Sequence, residues 1–560
     1  MFSCRQNISE TLMNCFGNGP FLFRLNDNGS GPSLLNQVCL ERGWREYSPE
    51  CGEDNWNLWW KTNSFTTSYT KTLSAWQFTN HIPKGSAICR KDNLVRYLRC
   101  MKSVYGVIYD FSPHGYNLPL EYTKFAAECN RCRVMPYEKT CKKYLDEKPI
   151  WICKPVSKSQ GRGIFLFRKL SDLNYDTNTI VQRYIEKPLL IGGYKFDLRL
   201  YVCIPSYHPI NIYIYKEGLA RFGTDKFNLK DLTNPFRHLT NCSINKLGPN
   251  YTEMKDRIGA GCKWTLQQLR KYFFQAGIHD WLIWQRISNL VILTILSHST
   301  QVPETVNCFD FFGFDVLIDE DLKPWLLEVN LSPALSNDCD ADRAVKKPML
   351  HDMFDLLGLP LHNTGLGSFD LCYGTEHCGD NDERDEDAND VYELNKIAEI
   401  DSRKTIRTAF SRRRRKKNFK RTRSKSSSSA KINSNTGFNR VASKKPLSLA
   451  KHTIVLDNQK MRNEEWKNSK TKKWGNGKDW SFSQQHEGDW VRIWPTKSIS
   501  QPVRQFLEPL KEVKKVVMEV AKCARAAREV IKRYPQACDR FLSQQLREEL
   551  NMEQIWLPPL

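Results

Sequence analysis

The sequence predicts an α+β fold, on three observations. Short apolar runs of strand character cluster between residues 151 and 215 and recur between 312 and 329. Two long helical patterns, 264–277 and 281–297, lie between these clusters. The strict strand–helix alternation of a doubly wound sheet is missing. Taken in order, the expected strands are 151–153, 164–167, 179–182, 198–204, 210–215, 312–318 and 325–329.

Composition divides the 560-residue chain. Residues 1–393 carry 45 basic and 46 acidic side chains, whereas 394–560 carry 39 and 16, so the formal charge of +22 belongs to the C-terminal third. Hydrophobic residues make up 40% and mean hydropathy is −0.56, which excludes collagen-like, fully disordered and multi-span membrane classes. The sequence divides into a small N-terminal lobe (1–84), a core (85–361), an acidic then basic low-complexity tail (362–509) and a basic amphipathic helical segment (510–560). In the lobe, Trp56, Trp59 and Trp60 read as a packed surface. The tail carries eight acids within 380–393 and thirteen basic residues with no acid within 403–425, a pattern that repels itself and seldom folds alone. Residues 412–417 also read as a nuclear localisation patch. Along 510–533, Leu510, Val513, Val517, Val520, Ala524, Ala527 and Ile531 share one helical face and lysines and arginines cover the others, so the helix docks either on the core or on an acidic partner.

The 19 cysteines are odd in number and lack framework spacing, which reads as reduced thiols in a cytoplasmic protein. Cys129, Cys132 and Cys141 form the one local cluster, too few for a structural zinc site. The N-terminus lacks the apolar core of a signal peptide, and the most apolar run, 290–296, is too short to span a bilayer.

Three segments carry the chemistry. In WICKPVSKSQGRGIFLF (151–167), a strand delivers Lys154 into a Ser/Gly loop. Gly161 and Gly163 let backbone N–H groups approach an anion, and Lys154 and Arg162 supply charge. The spacing is not that of a Walker loop, and alone the segment reads more readily as a simple hairpin turn than as a phosphate loop. In IVQRYIEKPLLIGGYKFDLRLYV (180–202), strand alternation puts Lys195, Asp197 and Arg199 on one face and Phe196, Leu198 and Leu200 on the other. That suits a catalytic surface backed by a core, or an exposed face laced with salt bridges. In FFGFDVLIDEDLKPWLLEVNL (311–331), Glu328 and Asn330 share a face, and opposite Asp315 they form an all-oxygen cluster. Hard cations such as Mg²⁺ take such ligands, completed by water and nucleotide phosphates. Singly each carboxylate reads as a structural ion pair; together with the lysines and the glycine loop, the nucleotide reading prevails.

These segments, with EGLARF, HLTNCSINK and LEVNLSPALS, resemble the tubulin–tyrosine ligase-like family, in fine detail its polyglutamylase branch. The likeness runs over residues 80–360, with WNLWW (56–60) and YNLP (116–119) as weaker support. It implies an ATP-grasp fold holding nucleotide between two antiparallel sheets, with ATP and Mg²⁺ as cofactors. It implies ATP contacts from Lys154, Arg162, Gly163, Gln182, Arg183, Tyr184, Ile185, Lys195, Asp197, Thr240 and Asn241, with Arg162, Lys195 and Glu328 catalytic. It implies metal at Asp315, Glu328 and Asn330, and free L-glutamate held by Arg221, Cys242, Ser243, Lys263 and Lys346. The implied reaction is ATP-dependent addition of glutamate to glutamate side chains of tubulin tails through an acyl phosphate. Three cations for the two carboxylates of glutamate favour that donor over glycine or tyrosine. Implied partners are tubulin and microtubules, and the implied location is the cytoskeleton, with the cilium or basal body open.

One position departs from the family pattern: the usual TNYSIN reads Thr240-Asn241-Cys242-Ser243-Ile244-Asn245. A lost tyrosine hydroxyl contact weakens binding by about 0.5–1.5 kcal/mol. The alternatives are a related ligase with another donor or acceptor, and a catalytically weak microtubule-binding module. Nucleic acid is disfavoured as a partner. The five tail tryptophans, Trp466, Trp474, Trp480, Trp490 and Trp494, have no RNA-binding motif around them and are expected to pack on the core.

Overall fold

A computed structural model describes residues 20–49, 55–134, 148–175, 177–258, 262–361, 464, 466–467, 473–496 and 509–550. The acidic run, the basic run and Cys141 lie outside the described residues, as does the side chain of Cys132.

Three sheets organise these residues. The first is parallel and four-stranded: β1 (Leu22–Leu25), β2 (Arg45–Glu46), β3 (Leu58–Trp60) and β4 (Phe78–Thr79), in the order β2-β1-β3-β4. The second is antiparallel: β5 (Gly115–Leu118), β6 (Trp151–Pro155), β7 (Phe165–Phe167) and β8 (Thr179–Arg183), in the order β5-β8-β6-β7. The third is the largest. β9 (Leu190–Ile191) and β12 (Lys263–Thr265) flank the long hairpin of β10 (Tyr194–Tyr207) and β11 (Ile210–Lys226), and β13 (Asp310–Ile318) and β14 (Pro324–Asn330) extend it on one side. β15 (His486–Glu487) and β16 (Trp490–Trp494) extend it on the other, all antiparallel.

The strand positions match the sequence expectation, but β10 and β11 run to 14 and 17 residues, well beyond the apolar runs. Their charged ends are sheet because partners on both sides satisfy the backbone. The helices Leu266–Gln275 and Trp281–Ser299 fall where expected, the first entered through a Thr265–Gln268 capping box.

The long hairpin sits between two cores. Phe196, Leu198, Leu200, Val202 and Ile204 pack with the Trp281–Ser299 helix. Tyr201, Cys203, Tyr213 and Tyr215 pack on the opposite side with the first sheet and the helix Asp340–Leu356. Trp56 and Trp59 join the first core and Trp60 the second, so these tryptophans are interior rather than the surface of a separate lobe.

Part of the segment expected to be tail is core instead. Trp474, Trp480 and Trp490 are buried, and Trp490 lies against Tyr215 at 5.1 Å between ring centroids. β16 pairs with β11 from Ile212 to Tyr215, which covers an edge that would otherwise be open. The helix Pro509–Arg533 docks through Val513, Val516, Val517, Val520, Ala527 and Val530 while Lys511, Lys514, Lys515, Lys522, Arg525 and Arg528 stay exposed. Of the two dockings open to it, the core takes its apolar face. No described helix is long and apolar enough to cross a membrane.

Candidate active site

A cleft of about 940 Å³ opens between the second and third sheets. β6 and β8 line one wall with Ile152, Lys154, Gln182 and Arg183; β10, β13 and β14 line the other with Lys195, Asp315, Glu328 and Asn330. The loop with Lys158, Gln160 and Gly161 and the turn with His238, Thr240 and Asn241 close the ends, and Tyr184 and Ile185 complete the lining.

Sheet register explains why these side chains meet. Asp315 pairs with Glu328 across β13–β14, and with Arg199 across β13–β10. One alternation along β10, Asp197 pairs with Arg221, which pairs in turn with Lys263 of β12. Two adjacent rows of charge therefore cross one face of the sheet. That face is enclosed, with Lys195 and Asp197 buried, so the exposed-face alternative does not describe it.

The first row holds carboxylates under control. Arg199 donates to Asp315 through Nε (2.6 Å) and Nη2 (3.1 Å), and Arg221 Nη2 lies 2.8 Å from Asp315 Oδ2. Burial alone would raise the Asp315 pKa, but these guanidiniums hold its carboxyl well below the usual carboxylate range. Glu328 is pushed up instead, by burial and by the neighbouring Asp315 carboxylate. Arg221 also binds Asp197 through two hydrogen bonds, with Nε at 2.8 Å.

Two ammonium groups, Lys154 on the β6 wall and Lys195 on β10 beside the carboxylates, have no ion-pair partner among the described residues. Lys154 donates to Gln182 Oε1 (2.9 Å), and burial pushes its pKa down to about 8. Lys195 donates to the Tyr184 hydroxyl (2.9 Å) and the His238 carbonyl (2.8 Å), and burial pushes it down to about 7. Tyr184 Oη lies 3.2 Å from His238 Nδ1, and His238 Nε2 lies 2.7 Å from the Asp231 carbonyl. A carbonyl only accepts, so Nε2 carries the proton and Nδ1 accepts from Tyr184.

The second row leads to a third group. Lys263 Nζ donates to Asp342 Oδ2 at 2.6 Å, and Lys346 Nζ lies 2.8 Å from Asp342 Oδ1. The cations expected to hold glutamate are thus partly neutralised by Asp197, Asp315 and Asp342, and the simple count of three cations for two carboxylates does not survive. Ser243 Oγ donates to the Gln160 carbonyl at 3.3 Å, and Cys242 opens the same short helix, Cys242–Asn245.

Three expected nucleotide contacts stand apart; one is Asp197, which is buried against Arg221 and does not line the cleft. Arg162 is exposed, reaches only Gln160 Oε1 (3.3 Å) and does not line the cleft; Gly163 beside it is exposed as well. Gly161 is held more tightly. Its φ is +77°, and a Cβ there would lie 2.3 Å from Ile244 Cδ1 and 3.0 Å from Asn241 Oδ1. Lys91, Lys158, His238, Leu317 and Leu327 line the cleft without having been expected. Lys158 lay within the loop already singled out, whereas Lys91 opens the helix Lys91–Tyr105 and carried no signal. Asp342 was legible as an acid four residues before Lys346.

The donor set fits a nucleotide with a hard cation. Two carboxylates and an amide offer oxygen, and among the described residues no three His, Cys, Asp or Glu side chains converge as a soft-metal site. Lys154 and Lys195, one on each wall and neither in an ion pair among the described residues, suit a polyphosphate. The model of the tubulin–tyrosine ligase family matches residues 69–364. The chain belongs to the tubulin–tyrosine ligase family. It is 44% identical over 361 residues to the probable tubulin polyglutamylase TTLL2 of Homo sapiens, covering 64% of this chain and 59% of that protein. With the Mus musculus protein of the same name it shares 46% over 343 residues, covering 61% and 62%. With the tubulin polyglutamylase TTLL5 of Homo sapiens it shares 36% over 338 residues, 58% of this chain and 25% of that one. The chain thus spans about three fifths of the length of the first two relatives.

Proposed function

We propose that the protein is an ATP-dependent ligase of ATP-grasp type that joins free glutamate to glutamate side chains on the acidic tails of tubulin. The observation that carries the reading is the cleft between Lys154 on one wall and Lys195 beside the in-register Asp315 and Glu328 on the other, both lysines without an ion pair among the described residues. The relatives' names, tubulin polyglutamylases, support the choice of donor and acceptor.

In this reading Lys154 and Lys195 pair with phosphate oxygens, and Gln182, Arg183, Tyr184 and Ile185 hold the rest of the nucleotide with Thr240 and Asn241. Asp315, Glu328 and Asn330 would hold Mg²⁺, which when bound offsets the charge of the phosphoryl group. The acceptor carboxylate takes the terminal phosphoryl group, so its poor leaving oxygen becomes phosphate and ADP departs. The donor amine then attacks the acyl carbon, phosphate leaves, the amine loses a proton, and an isopeptide bond remains. The chain's contribution is alignment and charge. Lys263 retains two N–H groups beyond its hydrogen bond to Asp342, and Lys346 donates to the Ser336 carbonyl (2.7 Å) and forms an ion pair with Asp342, which leaves N–H groups on each lysine for a carboxylate. The encircling Asp315 and Asp197 fix Arg221 between nucleotide and donor.

The test is purified protein with microtubules, ATP, Mg²⁺ and radiolabelled glutamate, with glycine and tyrosine as competitors. Label is expected in tubulin and is competed by neither. Glu328→Gln is expected to cut incorporation at least a hundredfold while the protein stays folded, since the glutamine also relieves the Asp315–Glu328 repulsion. Microtubule binding without incorporation would favour the binding-module reading.

A further inference from the structure

Asp342 is the most enclosed carboxylate outside the cleft that faces more than one cation: its side chain is 0% exposed. It occupies the third position of the helix Asp340–Leu356, where an acid is ordinary because the exposed N–H groups favour negative charge. Two facts set it apart from a routine helix-start acid. Its two oxygens meet lysines on separate elements, Lys263 of β12 at 2.6 Å and Lys346 one turn further along its own helix at 2.8 Å. Both ammonium groups are themselves buried, at 5% and 4% side-chain exposure. A thiol completes the shell, with Cys339 Sγ 3.2 Å from Asp342 Oδ2.

Two ammonium groups this close repel, and in a buried site the cheapest relief is for one to lose its proton. Asp342 opposes that: with Cys242 it outweighs burial and raises Lys263 above its ordinary value, and it works against the burial and the Lys263 charge that still hold Lys346 below its own. Burial would raise the Asp342 carboxyl, but Lys346 and Lys263 outweigh it and hold it below its ordinary value. The same carboxylate orients Lys263 Nζ through a hydrogen bond and holds Lys346 Nζ at 2.8 Å by charge, while the Ser336 carbonyl accepts from Lys346 at 2.7 Å.

We propose that Asp342 is a positioning residue for the amino-acid donor: it holds Lys263 and Lys346 as a charged, pre-oriented pair, each with N–H groups left for one carboxylate of a dicarboxylic amino acid. The inference rests on the donor reading above. It adds that donor affinity is set by an aspartate that does not touch the donor. Its charge also leaves the three-residue group at a net +1, so any preference for a dicarboxylate over a single carboxylate rests on the separate N–H groups of the two lysines and not on net charge.

The experiment compares full-length wild type with Asp342→Asn and Asp342→Glu. It measures KM for glutamate, KM for ATP, kcat, and the rise in melting temperature on adding a non-hydrolysable ATP analogue with Mg²⁺. Asp342→Asn is expected to raise the glutamate KM at least tenfold, with the ATP KM within twofold, kcat within about threefold and the nucleotide-induced shift retained. Asp342→Glu, which keeps the charge, is expected to fall between the two. A glutamate KM within twofold of wild type in Asp342→Asn overturns the proposal. So does a joint rise of both KM values, or loss of the nucleotide shift in both variants, because the carboxylate then holds the fold rather than the pocket. Wild type that neither transfers nor binds glutamate sinks the donor reading itself, and this inference with it. Wild-type transfer with an unmoved KM in the variant sinks only the role of Asp342.

Discussion

Two groups of buried lysines lie on the same scaffold and are treated in opposite ways. Lys154 and Lys195, in the cleft, form no ion pair among the described residues and are pushed down to about 8 and about 7 by burial. Lys263 and Lys346 share the Asp342 carboxylate; burial works against Lys263, but Cys242 and Asp342 outweigh it and raise its pKa, whereas Lys346 stays below its ordinary value because burial outweighs Asp342. The difference teaches what each region waits for. An unpaired buried cation is a cost in the free protein that a strong polyanion repays on binding. A cation already paired by a carboxylate costs less alone, and is suited to a weaker ligand that needs direction more than charge.

The comparison breaks most visibly in stability. Lys263→Met leaves Asp342 buried with one partner fewer, and is expected to cost about 3–5 kcal/mol. Lys195→Met strands no carboxylate and removes a poorly solvated charge, so its stability is expected within about 1 kcal/mol of wild type. Thermal unfolding of both proteins checks this, and equal losses would erase the distinction. In nucleotide binding the ranking reverses. Lys195→Met is expected to weaken a non-hydrolysable ATP analogue by about 1.5–3 kcal/mol, as for a hydrogen bond to a charged group. Lys263→Met, where it folds, is expected to bind the analogue normally by calorimetry.

The pH dependence sharpens the same contrast. Lys195 titrates at about 7 in the folded protein against 10.5 for an ordinary lysine, so between those values the unfolded chain holds more protons. Its contribution to stability therefore rises with pH from 7 upward, and is lost as pH falls through 7. Nucleotide affinity runs the other way, because phosphate favours the ammonium form: the analogue's Kd is expected to rise severalfold between pH 7 and 9. A flat profile would mean that Lys195 does not meet the phosphates. The smallest effect is at the donor side. Cys242→Tyr, which restores the family residue, is expected to lower the glutamate KM by no more than about tenfold, the equivalent of one hydrogen bond.

Much of this was legible from pattern. The alternation Lys195, Asp197, Arg199 against Phe196, Leu198, Leu200 placed both faces of β10, because a strand sends neighbours to opposite sides whatever surrounds it. Spacing likewise put Glu328 and Asn330 on one face. Other elements left little trace. The first sheet is built from strands of two to four residues, too short for a periodicity, and its parallel pairing depends on distant chain segments. β16 is a five-residue run, WVRIW, set within a segment read as tail, and becomes a strand because the open edge of β11 pairs with it and the second core receives Trp490. Arg162 shows the converse: its motif marked it for the nucleotide, yet the loop carries its side chain out of the cleft.

The sequence by itself determined which residue types sit two apart on a strand or four apart on a helix. Covalent geometry enforces those relations locally, so the chemistry of each segment was readable before any fold. Only the tertiary structure decided which charges became partners. Asp315 could have faced a cation alone, but β10 and β11 bring Arg199 and Arg221 onto it. Lys263 and Lys346 read as free donors until the helix Asp340–Leu356 set Asp342 between them. Charges lose hydration on burial and take whatever partner the packing supplies, and packing joins residues that stand 79 positions apart in the chain.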